Sequence, residues 1–371
     1  MSGNIYNELV NLAEITAAAA AEYREKKEIL RDAVNKQLSN RDDIYELIGH
    51  NPISKMHNNH DNHARFMANV FKLNSYKLLV RTVIWVYMTY YSHGFSFDYF
   101  PAELKAWIKA IEEKLSSENA EEIIEIYNFM LNNHQRFIEL SREIDNDQID
   151  IPEDMKTVYN LFFKYLLNGN HQSALKLAKE EIEQKEDLQR FFNHIIKPAM
   201  YEVGFLWQKG AISEAEEHLA TSIVARVISG LYIYVIDLEE ALKGKAVISA
   251  AANEYHEIGS RIIADSLEMD GWDVDHLGAD TPIEALIDFL KMQQPFLLGL
   301  SASMAFNIDN LNDTIKKIKE NEKLADLKIM VGGKVFNENP ELWKKTDADA
   351  CAQNGEEAVE IAKKWWENWE G

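Results

Sequence analysis

One short run gathers residue types that could do chemistry: Asn253-Glu254-Tyr255-His256-Glu257-Ile258-Gly259. A histidine with an acid two positions before it can offer one ring nitrogen to a metal. The acid then holds the other ring N–H and fixes the tautomer. The glycine three positions on lets the backbone turn or approach a ligand closely. The pattern is short: with 61 acids, 11 His and 16 Gly in 371 residues, roughly 0.08 chance matches are expected. Its companions add weight. Ser301-Ala302-Ser303 follows the apolar run Phe296 to Leu300, and Gly332-Gly333 follows Lys328 to Val331. Upstream, Trp207 is followed after nine intervening residues by Glu217-His218. About 0.04 chance matches are expected for that set. A core Trp beside a solvated Glu-His pair is the plain alternative.

These residues need elements to position them. Strand candidates fall at 245–252, 273–277, 296–301, 328–331 and 348–352, and helix candidates at 258–270, 282–293, 308–322 and 355–369. Such alternation predicts a parallel sheet with helices on both faces. His256, the serines and the glycine pair all fall where strands end, the edge at which ligands bind in this architecture. Residues 151–240 read as a compact helical bundle with helices over Met155 to Leu167, His171 to Lys185, Leu188 to Trp207 and Ser213 to Leu238. Ser213 followed by Glu216 is a capping box. Residues 1–150 read as helical too, over Glu14 to Leu38, Phe66 to Tyr91, Pro101 to Leu115 and Glu121 to Glu143, with loops at Ser39 to Asn62 and His93 to Phe100. The expected class is therefore α plus α/β: a helical N-terminal domain (1–150), a four-helix bundle (151–240) and a doubly wound, Rossmann-like or flavodoxin-like sheet domain (241–371).

The histidine, serine and glycine elements, in this order and spacing, resemble the cobalamin-binding domain of methionine synthase and the corrinoid-dependent mutases. The resemblance implies that His256 is the lower axial ligand of cobalt. It implies that Ser301 or Ser303 meets the displaced nucleotide base, and that Gly332-Gly333 lines the slot for its tail. That family usually has Asp where Glu254 stands here. The longer acid can still accept the second imidazole N–H. With Trp207, Glu217 and His218 added, the chain resembles the cobalamin photoreceptors that control bacterial carotenoid synthesis. The resemblance implies adenosylcobalamin as cofactor, a bundle capping its upper face, Trp207 covering the adenosyl group, Glu217 contacting it, and His218 becoming the upper cobalt ligand after light breaks the cobalt–carbon bond. It spans about 150 to 371 and omits the basic DNA-binding domain that those repressors carry.

Composition limits the alternatives. With 46% apolar residues and abundant aromatics the chain is globular. A net charge of −22 argues against general nucleic-acid binding and against docking to an anionic membrane. The single Cys351 excludes an internal disulfide and Cys-x-x-Cys sites. No apolar stretch approaches a membrane span, and Met1-Ser2-Gly3-Asn4 opens no signal region. A cytoplasmic protein is expected.

The N-terminal segment is less specific. His57, His60 and His63 are spaced by three and lead into an aromatic run that includes Trp85, Tyr87, Tyr90, Tyr91 and Trp107. Three readings stand: a metal site, because this spacing puts histidines on one helix face; a polar loop entering a core helix; or a pocket for a large flat ligand. The layout resembles the photocobilins, which pair cobalamin with biliverdin, and implies His60, His63, Arg65 and Tyr91 as bilin contacts. The preferred expectation is a light sensor, not an enzyme, acting through a light-dependent homo-oligomeric state and a separate output protein. The alternatives are a corrinoid methyl carrier serving methyltransferases, which needs an open upper face, and a sensor that reads cobalamin as a metabolite.

Overall fold

The computed structural model describes residues 5, 7–9, 11, 12, 14–144, 151–236 and 243–370. It divides into two compact units, residues 1–145 with 208–210 and residues 146–207 with 211–371. The bundle and the sheet, expected as separate domains, thus share one unit. The expected boundaries at 150 and 240, and the end of the helix expected to run to Leu238, lie outside the described residues.

The N-terminal unit is helical: α1 (Ala17–Ser39), α2 (Ile53–Leu73), α3 (Tyr76–Ser92), α4 (Tyr99–Lys114), α5 (Ser117–Asn132) and α6 (His134–Glu143). Helix α1 packs against α2, α4 and α5, and α3 against α6. Thr16 caps α1 by accepting the Ala19 N–H at 3.3 Å. Three expectations need correction. The run Phe66 to Tyr91 is two helices, because Asn74 takes a left-handed conformation (φ 44°). Its amide bonds both the N–H (2.9 Å) and the carbonyl (3.1 Å) of Ile15, which pins the break. The loop expected through Asn62 ends at Pro52, since the polar His57-to-His63 stretch is helix whose buried face finds hydrogen-bond partners. The helix expected over Glu121 to Glu143 is interrupted at Asn133.

In the second unit α7 (Lys156–Leu167), α8 (His171–Glu180), α9 (Lys185–Phe191) continuing through a π-turn at Phe192–Ile196 into α10 (Lys197–Gln208), and α11 (Glu214–Leu231) make the bundle. Its core is Phe162, Leu166, Leu188, Phe191, Ile195, Val203, Ile223, Val227 and Leu231 with their neighbours. The expected capping box starts α11: Ser213 Oγ accepts the Glu216 N–H, and Glu216 Oε2 accepts the Ser213 N–H at 2.7 Å.

The sheet is five-stranded and wholly parallel, in the order β2-β1-β3-β4-β5. Its strands are β1 (Lys245–Ala250), β2 (Asp273–His276), β3 (Leu297–Ser301), β4 (Lys328–Gly332) and β5 (Ala350–Ala352). Helices α12 (Ile258–Met269), α13 (Ile283–Gln293), α14 (Ile308–Lys319), α15 (Lys334–Glu338) and α16 (Gly355–Glu370) connect and follow them. Near-continuous apolar strands such as Ala246-Val247-Ile248, all buried, are what a sheet covered on both faces requires. Register aligns Ala250 with Ser301, Ser301 with Gly332 and Gly332 with Ala352 along one carboxyl edge. The strand order reverses between β1 and β3, and such a switch point leaves a crevice beyond the strand ends.

Candidate functional site

The switch point is where the sequence puts its chemistry. The loop after β1 carries Glu254 and His256, and the loop after β3 carries Ser303. The two loops are tied by one carboxylate. Glu254 is fully buried. Its Oε2 accepts hydrogen bonds from the backbone N–H of Ser303 (2.8 Å) and Met304 (3.0 Å) and from Asn307 Nδ2 (3.1 Å). Its Oε1 accepts from the His256 backbone N–H (3.1 Å) and from His256 Nδ1 (2.5 Å). Burial alone would raise this carboxyl's pKa. The bonds from His256, Met304 and Asn307 outweigh it and draw the pKa down to about 2. The added methylene relative to aspartate therefore does not cost the contact with the imidazole.

A carboxylate only accepts, so Nδ1 of His256 carries the hydrogen and Nε2 presents its lone pair. The His256 side chain is 60% exposed, yet desolvation is the largest influence on its pKa, ahead of the opposing pull of Glu254 and Glu217 that leaves it raised. Charged groups from both the bundle and the sheet domain act on this exposed ring. The charge of Glu217 on α11 acts on the imidazole, as does that of Lys334 on α15. From α10, Tyr201 lies under Lys334 Nζ (5.5 Å to the ring centroid), and its hydroxyl is 3.5 Å from Asn337 Nδ2. Bundle helices α10 and α11 thus stand over the carboxyl edge.

The other expected residues take these places. Ser301 and Ser303 are half-buried, and their hydroxyls have no hydrogen bond among the described residues. Gly333 has φ 106°, and a Cβ there would lie 2.3 Å from the Ala302 carbonyl oxygen. A Cβ on Gly332 would lie 2.8 Å from the Ala352 carbonyl oxygen. The pair lets β4 turn against its neighbours. Gly259 differs: a Cβ there meets nothing within 4 Å, so its smoothness serves an open space. Glu217 is half-buried and accepts from Thr221 Oγ1 at 2.9 Å. His218 is exposed, 3.6 Å from Glu217. Trp207, in the last turn of α10, is half-buried. Sequence reasoning missed three positioning residues. Asn307 Nδ2 also donates to the Asn253 carbonyl (3.0 Å), Asn310 Nδ2 donates to the Ala252 carbonyl (2.9 Å), and Asp280 Oδ1 accepts the Asn253 N–H (2.7 Å). The Asn307 and Asn310 pair, three apart at the start of α14, was the available signal.

In the N-terminal unit the histidines do not make a metal site. Among the described residues no group of three His, Cys, Asp or Glu side chains could hold an ion. His57 Nε2 is 3.0 Å from Ser39 Oγ. His60 is buried, with Nδ1 donating to Asn35 Oδ1 (2.5 Å) and Nε2 2.8 Å from the Tyr99 hydroxyl. His63 Nε2 is 2.9 Å from the Tyr127 hydroxyl, and its ring stacks on Trp107. Both histidines lie about 4 Å from the Glu103 carboxylate (3.9 and 4.0 Å). Burial pushes both imidazoles down to about 3 and Glu103 up to about 7. Arg65 instead pairs with Asp61 (2.8 Å), and Tyr91, 52% exposed, stacks on Phe97.

Among the described residues His256 belongs to no three-ligand group, so a metal met there would bring most of its ligands with it. A cobalt in a corrin ring does so. An outward Nε2, unspent serine hydroxyls, the open space at Gly259 and the glycine turn fit such a group. Comparison with known proteins agrees. Residues 244–363 match the B12 binding domain family, and residues 158–232 match a second family described as a B12 binding domain. Dimethylamine corrinoid protein 1 of Methanosarcina acetivorans is 27% identical over 193 residues, 52% of this chain and 87% of that protein. Dimethylamine corrinoid protein 1 of Methanosarcina mazei is 25% identical over 197 residues, 52% and 88%. The solved monomethylamine corrinoid protein of Methanosarcina barkeri superposes with a TM-score of 0.49 at 21% identity, covering 57% of this chain and 99% of that one. Neither family match reaches residues 1–145. No helix among the described residues is long and apolar enough to cross a membrane.

Proposed function

We propose that this chain holds a corrinoid between the bundle and the carboxyl edge of the sheet, where His256 would ligate the cobalt through Nε2, and serves as a corrinoid methyl carrier for a separate methyltransferase. When bound, cobalamin supplies a cobalt atom that takes up and gives up an alkyl group on its upper face. The chain's own part is positional. Glu254 fixes the imidazole tautomer and joins the β1 and β3 loops, so the ligating nitrogen is aimed before the cofactor arrives. Ser301 and Ser303 offer unspent hydroxyls to the nucleotide base, and Gly332-Gly333 leaves room for its tail. The bundle excludes water above. The observation that carries the reading is the Glu254–His256 pair with its free, outward Nε2. The likeness to dimethylamine corrinoid proteins supports a methyl carrier in particular.

A second reading, a light sensor built on adenosylcobalamin, is favoured by a separate observation. Glu217, flanked by His218 and following Trp207, puts a carboxylate within electrostatic reach of His256. On this reading Trp207 and His218 would face the alkyl group of a bound adenosylcobalamin, whose light-sensitive cobalt–carbon bond is the chemistry that the cofactor would supply. The protein then changes its assembly rather than turning over a substrate. Biliverdin in the N-terminal unit, with His60, His63, Arg65 and Tyr91 as contacts, belongs to this reading.

One pair of measurements separates them. The full chain is loaded with adenosylcobalamin in the dark, illuminated, and followed by absorption and elution volume. In parallel, hydroxocobalamin-loaded protein is reduced and given iodomethane. A carrier takes the methyl group and keeps its elution volume under light. An irreversible spectral change with altered elution, and no methyl uptake, sinks the carrier reading and leaves the sensor. Biliverdin added alone tests the bilin contacts: an unshifted biliverdin spectrum removes them.

A further inference from the structure

The bundle meets the sheet domain along one stripe of α12. Residues 258, 262, 265 and 269 step by four, three and four, and so share a helix face. Ile262 belongs to the bundle core, and Ile258 and Met269 pack against it. The fourth member is Asp265. It is 5% exposed, and its Oδ2 is fully buried with no hydrogen-bond partner.

Its charged and polar neighbours are engaged elsewhere. Arg261, one turn earlier, donates from Nη2 to Ser229 Oγ on α11 (3.0 Å). Glu268, on the next turn, accepts from the Tyr232 hydroxyl just beyond α11 (3.1 Å). Ser266 Oγ donates to Gln189 Oε1 on α9 (2.8 Å). Hydrogen bonds across the seam therefore flank Asp265 on both sides, and the carboxyl between them stands in an apolar stripe. An ionised carboxylate in such a place lacks water and a hydrogen-bond donor, and Arg261, bonded to Ser229, offsets its charge only in part, which is costly. Taking a proton relieves it, and so does parting the seam.

We propose that Asp265 is the latch of the bundle: as a neutral acid it lets the bundle close on the sheet domain, and as a carboxylate it favours opening over His256. The geometry stands on the protein alone, whatever group His256 holds. Burial, aided by Glu268 and opposed by Arg261, raises the Asp265 pKa to about 7. The closed form thus binds the proton more tightly than an open, hydrated form. Opening becomes easier as pH rises from the ordinary aspartate range to about 7, then levels off.

Amide hydrogen exchange of the full chain between pH 5 and 8, corrected for intrinsic exchange, reads this directly. Peptides covering 258–269 and 223–231 are expected to lose protection up to about tenfold per pH unit below pH 7. Peptides of β1 and β3 hold theirs. Asp265→Asn, and independently Asp265→Leu, should flatten that pH dependence and raise seam protection at pH 7 by about tenfold or more. Wild-type seam peptides without pH dependence overturn the latch. So does a parallel loss in the strands, or an Asn variant with equal or lower protection. None of these outcomes depends on cobalamin, so a failed latch is distinct from a failed cofactor assignment.

Discussion

Replacing Glu254 by Gln changes one atom's chemistry at the centre of the site and little of its shape. The carboxylate accepts five hydrogen bonds, three at Oε2 and two at Oε1. A glutamine can keep its carbonyl at the Oε2 position and satisfy Ser303, Met304 and Asn307. Its amide nitrogen then faces His256, where it opposes the backbone N–H and can only donate to Nδ1. The imidazole must answer with the other tautomer, which puts hydrogen on Nε2, the atom aimed at the ligand space. The stability effect follows from the depressed pKa. A fall from 4.5 to about 2 corresponds to ~3 kcal/mol of stabilisation at neutral pH. Because the folded-state value is the lower one, that stabilisation is present above pH 4.5 and is lost as pH falls from there toward 2. Two assays read the variant. Acid unfolding of the wild type should steepen below pH 4.5, and in Glu254→Gln that component should vanish with the neutral-pH stability lower by roughly 2–3 kcal/mol. Absorption of added hydroxocobalamin should show a cobalt without imidazole ligation. A variant with wild-type acid unfolding and a wild-type cobalamin spectrum would refute both the charge and the tautomer arguments.

Three further outcomes are expected. Gly333→Ala forces a side chain into a left-handed conformation against the Ala302 carbonyl and should cost roughly 2–4 kcal/mol in urea unfolding. An unchanged midpoint contradicts that geometry. Ser213→Ala removes half of the capping box of α11 and should cost about 1 kcal/mol, with the loss seen first as faster amide exchange in the first turn of α11. Glu103, 6% exposed and raised by burial to about 7, binds its proton more tightly when folded, so its contribution is full below pH 4.5 and disappears as pH rises through 7. Relative to Glu103→Gln, the wild type should therefore lose up to about 3 kcal/mol over that interval, while His60 and His63, both lowered to about 3, contribute in the opposite direction to both proteins as pH rises toward 6.5. A difference between wild type and Glu103→Gln that does not change between pH 4.5 and 7 assigns the proton elsewhere.

The second unit's plan was legible because its signals are local. Each strand is a short apolar run with a turn signal at its end, and the predicted strands fall within two residues of those observed. Glu254, His256, Ser301 and Gly333 sit at strand ends, and in a parallel sheet all such ends share one edge. The N-terminal unit was read less well. Its aromatic run has one helical periodicity on either side of Asn74. The break comes from that residue's side chain bonding the distant Ile15 backbone, which no local pattern records.

By itself, then, the sequence determined the parallel sheet, the capping of α11 and the residue types at the carboxyl edge, since helix and strand periods and caps are set by neighbours along the chain. Tertiary structure decided what those residues do. It gave the Glu254 carboxylate donors from about fifty residues away in Ser303, Met304 and Asn307, brought Glu217 within reach of His256, placed Asp265 in an apolar seam, and set a buried His60 and a half-buried His63 among Asn35, Tyr99 and Tyr127. Hydrogen-bond satisfaction and desolvation depend on which groups folding brings together, and sequence spacing carries no direct record of that.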